Sequence, residues 1–95
     1  MPIKKKIEIN AASVNINMDK MIDLVLEKKR NLSKEQEKDM LFAYYFACQH
    51  RLKTPLKPDI ADIADNMVLS MKKILVAQGY VEKELDSIME GEWEI

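Results

Sequence analysis

The one cysteine and the one histidine of this chain stand two residues apart, as Cys48 and His50. A thiol beside an imidazole is the pairing from which a nucleophile and its general base are built. The segment that holds them reads as helix, where a separation of two residues turns side chains about 200° apart. Neither group reaches the other on that spacing, and no catalytic residue is assigned. His50 is better explained as a favourable charge near a helix C-terminus. Asp59, Asp62 and Asp65 recur at every third position and raise the question of a cation. They drift around a helix, however, and lack the glycine and the glutamate of a calcium loop. The three carboxylates read as a solvated acidic face, so no metal site and no cofactor is expected. Trp93 is the remaining candidate, because a tryptophan between two glutamates near the chain end is not required by a core. Tryptophan is enriched where binding energy concentrates, so Trp93 and Ile95, in the alternating tail Glu92-Trp93-Glu94-Ile95, form the candidate protein-binding pair. The tail either docks on its own domain or grips a partner.

The element that must position these groups is a helix in the middle of the chain. Ser33-Lys34-Glu35-Gln36 has the form of a capping box, in which the serine oxygen and the glutamine side chain each satisfy an orphan backbone amide. Neither Gly nor Pro occurs between Lys34 and Leu52, a length of roughly 28 Å as helix. Pro55 forces Thr54 out of the α region and stops it. The stretch from Met40 to Cys48, MLFAYYFAC, is apolar or aromatic throughout, and a helix apolar on every face is covered on every face. Phe42, Tyr45 and Phe46 are therefore expected to be shielded. Nine such residues fall far short of the ~20 that cross a bilayer.

The other elements surround this one. Ile7 and Ile9 alternate with Lys6, Glu8 and Asn10, and Val14 and Ile16 alternate with Asn15 and Asn17, so residues 3–17 read as a β-like arm of two short strands. Asn17 can cap a first helix over 18–30, with Met18, Met21, Ile22, Val25 and Leu26 on its apolar side, Leu24 at the margin and Asn31 in the left-handed position that ends it. Pro58 suits the first turn of a third helix over 58–78. There Ile60, Ile63, Met67, Met71 and Ile74 form the clearest amphipathic stripe in the chain. Gly79 is a good helix terminator against which Tyr80 can fold back. A fourth helix over 81–89, closed by Gly91, and an acidic tail over 90–95 complete the chain. The fold class is mainly α: one domain of about four helices, roughly 18–30, 34–53, 58–78 and 81–89, in residues 1–95. The strand-like ends KIEI, at Lys6 to Ile9, and EWEI, at Glu92 to Ile95, could pair with each other.

Composition fits that picture. The chain is 47% apolar and 33% charged, which is ordinary for a folded globule and far from the disordered class. Fifteen basic and sixteen acidic residues leave a net charge of −1, so no global field recruits nucleic acid or an anionic membrane. A single cysteine excludes an internal disulfide framework, and no signal-like apolar region follows the basic N-terminus. A cytoplasmic home and no membrane association are the expectation.

Val14-Asn15-Ile16-Asn17, a helix ending near Asn31 and a second helix capped by Ser33 resemble the ribbon-helix-helix pattern of small bacterial DNA-binding dimers, over residues 13 to 47. The resemblance implies that two copies pair their strands and point Asn15 and Asn17 into the major groove, where asparagine can pair with adenine. Lys4, Lys5 and Lys6 are the basic residues nearest such a strand. The turn lacks the usual glycine, and no Arg or Lys stands beside the asparagines. DNA binding as a transcriptional regulator is therefore the alternative. The leading expectation is a non-enzymatic protein–protein interaction module, possible as a homodimer, that presents a helix face and its terminal segments to a protein partner.

Overall fold

The structure is a computed structural model that describes residues 7, 18–28 and 31–92. It is mainly helical: α1 (Met18–Leu26), α2 (Lys34–Lys53), α3 (Pro58–Ala77) and α4 (Glu82–Met89) follow one another, with no β-strand among the described residues. α2 packs against all three other helices, whereas α1 and α4 do not touch each other. The fold is thus an α2/α3 hairpin with α1 laid on one side and α4 on the other. Residues 40–45 of α2 are all buried, which is what its all-round apolar sequence requires.

Local chemistry sets the helix ends. At the start of α2 the Gln36 amide donates to Ser33 Oγ at 3.1 Å and the Ser33 amide donates to Gln36 Oε1 at 3.0 Å, so both halves of the capping box form. Pro58 occupies the first turn of α3. At its far end Gly79 takes φ +108°, the Tyr80 amide donates to the Leu75 carbonyl and the Gly79 amide to that of Val76. This is the Schellman pattern, open to glycine because no Cβ opposes a positive φ. α4 ends the same way: Gly91 has φ +81°, and the Glu92 and Gly91 amides donate to the carbonyls of Ser87 and Ile88.

α1 departs from the sequence expectation. It ends at Leu26 rather than near Arg30, and the left-handed residue is Lys28, at φ +52°, rather than Asn31. Beyond Leu26 the chain has only charged side chains to offer, so another helical turn would bury nothing. The backbone instead turns to bring the Leu32 amide onto Gln78 Oε1 at 3.4 Å. The buried face of α1 is Met21, Leu24 and Val25, while Leu26 is 70% exposed. Leu24 is therefore core and Leu26 is not. Of the β-like arm, Ile7 alone lies among the described residues, and its side chain belongs to the helical core. The rest of the arm, and its proposed pairing with the tail, lie outside them.

The end of the bundle where α3 turns into α4 is tied by polar contacts. The fully buried Tyr44 hydroxyl donates to the Leu85 carbonyl at 2.6 Å, which satisfies a group whose burial would otherwise be costly. Lys72 Nζ donates to Asp86 Oδ1 at 2.8 Å and lies 3.6 Å from Glu82 Oε1, joining α3 to α4 across a partly buried seam. Met40, Met71, Leu75, Leu85 and Ile88 are fully buried around these links, each contributing about 1.5–3 kcal/mol relative to exposure.

Candidate docking surface

α1 and α4, of nine and eight residues, are roughly 14 and 12 Å long, against about 30 Å for α2 and α3. Neither short helix reaches along the whole hairpin. Among the described residues the last turns of α2 and the first turns of α3 are left partly bare, and two apolar grooves open there. One, of about 160 Å³, is lined by Ile22 of α1, by Ala47, His50 and Arg51 of α2, by Leu56, and by Ala64, Met67, Val68 and Met71 of α3. The other, of about 130 Å³, lies on the α4 side between Cys48, Leu52, Val68, Leu69 and Met89. Arg51 and Asp65 line this second groove too, joined by an ion pair, Nε to Oδ1 at 2.9 Å, and Arg51 borders both grooves.

Large apolar side chains stand open around these grooves. Ile63 is 67% exposed, Leu52 and Ile60 are about half exposed, and Leu69 is 41% exposed. The stripe that the sequence marks on α3 is thus divided. Met71 and Ile74 are buried, Met67 is partly buried, and Ile60 and Ile63 face water. Periodicity shows which face of a helix can be buried and says nothing about how far its neighbours extend. No local signal in α3 marks the division, because it depends on where α1, which meets this groove through Ile22, lies on α2 and α3. On α2, Phe42 and Tyr45 are buried, as expected, but Phe46 is 41% exposed. It stacks on Phe42 with ring centroids 6.2 Å apart and meets Tyr45 edge-on at 5.6 Å.

The groups considered for chemistry do not converge. Cys48 is buried in α2, and burial pushes its thiol up to about 11, with the Tyr44 hydroxyl partly offsetting the rise. A thiol held protonated is a poor nucleophile. His50 is exposed, on the other groove, with Nδ1 3.5 Å from Thr54 Oγ1. Burial also raises Tyr44 well above the usual phenol range, with Cys48 and Asp86 adding to the effect. Asp65 is held by Arg51, whereas Asp59 and Asp62 are solvated. Among the described residues no group of His, Cys, Asp or Glu is placed to hold a metal ion, and no helix is long and apolar enough to cross a membrane. Trp93 and Ile95, and Lys4, Lys5, Lys6, Asn15 and Asn17 of the DNA-binding alternative, lie outside the described residues. Comparison with protein-family models, with curated proteins and with solved structures gives no match.

Proposed function

We propose that this chain is a non-enzymatic protein–protein interaction module whose docking surface is the open end of the α2/α3 hairpin. One observation carries the proposal: Leu52 and Leu69 are exposed in the lining of one apolar groove, and Ile60 and Ile63 are exposed in the first turns of α3, whose neighbouring residues Ala64 and Met67 line the other. Single exposed hydrophobic residues are normal on any globule, but gathered ones mark surfaces that bind. The polar ties that hold the fold together, Tyr44 to Leu85 and Lys72 to Asp86, do not involve these residues. The surface can therefore be shaped for a partner without loss to the bundle.

Site-specific photocrosslinking tests this. A photoreactive phenylalanine analogue at position 63 should yield discrete adducts in cells of the native host, and the same analogue at the exposed position 38, in the first turns of α2, should not. Equal labelling from both positions, or none from either, refutes the proposal.

A further inference from the structure

Resting on that docking surface, we infer that its occupant is a second copy of this chain, joined reciprocally through Ile63 and the groove beside it. The argument is one of self-complementarity. The first half of α3 presents Ala64 and Met67 to the groove; at 100° per residue, exposed Ile60 and Ile63 follow beside them, then Asp59 and Asp62 on its outer edge. Across the groove, the last turns of α2 present Ala47 and His50, with Phe46 and Lys53 on the outer edge. A protruding isoleucine thus stands beside an apolar groove of about 160 Å³, similar in size to the roughly 150 Å³ cavity that takes up a benzene ring. Knob and hole lie on one face of one chain.

The charges at the rim agree. A rim of one sign would select a partner of the opposite sign, but here exposed Lys53 lies on the α2 edge and exposed Asp59 and Asp62 lie on the α3 edge. A two-fold axis along the groove sets the α2 edge of each copy over the α3 edge of the other. Such an isologous contact makes every interaction twice. Ile63 of each copy enters the other's groove near Ala47 and Met67, and Lys53 of each meets Asp62 of the other. Phe46, half open in the single chain, is covered on the same edge.

Sedimentation velocity on the full chain, from micromolar to millimolar concentration, tests the arrangement. The wild type should pass from 11.0 kDa to twice that mass. Ile63→Ser should weaken association at least tenfold, because two isoleucines leave apolar contact per dimer, while the circular-dichroism melt of the dilute protein stays unchanged. Lys53→Glu and Asp62→Lys should each weaken the dimer and together restore it. A wild type that stays at 11.0 kDa throughout, or a double variant no tighter than the single ones, overturns the inference. Adducts from position 63 to a different protein would also overturn it, and would leave the docking surface itself standing.

Discussion

Alkaline pH should destabilise this protein through Cys48, by an amount that follows from where the thiol sits. Burial in α2 raises it from 9.0 to about 11. The folded state therefore keeps a proton that the unfolded chain has already released between those values. With fewer protons bound to the unfolded than to the folded state, stability falls as pH rises. The contribution is complete below pH 9.0 and is lost progressively up to about pH 11. A rise of two pH units at about 1.4 kcal/mol each corresponds to about 3 kcal/mol, a large part of the ~5–15 kcal/mol that holds a small domain folded. Cys48→Ala removes the titration at the cost of one buried sulfur atom, about 1 kcal/mol by the value of a buried methylene. Urea unfolding followed by circular dichroism at pH 8, 9, 10 and 11 should show the variant less stable than the wild type at pH 8 and more stable at pH 11. Tyr44 is buried in both proteins, so the desolvation that dominates its own upward shift is common to both. Stability curves that stay parallel from pH 8 to 11 would refute the reasoning, because they would mean that the thiol is not desolvated in the folded state.

Tyr44→Phe should cost about 1 kcal/mol through the lost hydrogen bond to Leu85. Gly91→Ala places a Cβ at φ +81° and 3.1 Å from Leu52 Cδ1. A left-handed L-residue costs about 1–2 kcal/mol, readable as a lower melting temperature. Lys72→Met should remove a contribution of at most about 1 kcal/mol, because the partners Asp86 and Glu82 are substantially exposed. The hydrogen bond to Asp86 raises Lys72 above its usual range, so this contribution is complete below about pH 10.4 and is lost as pH rises through the folded value. Salt titration of the melting temperature at pH 7 and pH 11 checks both the size and the sign.

What the sequence makes legible here is whatever is decided within a few residues. Ser33 and Gln36 lie three apart and both bonds of the box form. Pro55 and Pro58 bracket a connector, Gly79 and Gly91 supply the positive φ that ends α3 and α4, and residues 40–45 of the greasy run of α2 are enclosed, though Phe46 is not. What it leaves illegible is decided between elements. Whether Leu24 or Leu26 enters the core depends on how α1 rolls against α2 and α3, and both residues fit an apolar stripe. Tyr44 and Leu85 are forty-one residues apart, and no local pattern announces that the phenol will meet that carbonyl. The candidate surface was obscured for the same reason. Ile60 and Ile63 continue the stripe of Met67, Met71 and Ile74 without a break, and only the short reach of α1 separates the covered half from the open one.

That division between two ends explains how so small a chain can expose large apolar residues and still specify one fold. At the end where α3 turns into α4, a phenol on a carbonyl, an ammonium between two carboxylates, a side-chain amide under Leu32 and a glycine cap fix how the helices sit on one another. Such contacts are directional, and each would be lost by a slip of the helices, so register is set there. At the other end Arg51 pairs with Asp65, an exposed tie worth at most about 1 kcal/mol. The rest is apolar contact without directional demand. The open end therefore inherits its geometry from the closed one, and its side chains need not add stability of their own. Substitutions there should change what the protein binds before they change whether it folds, which is the separation a docking surface requires.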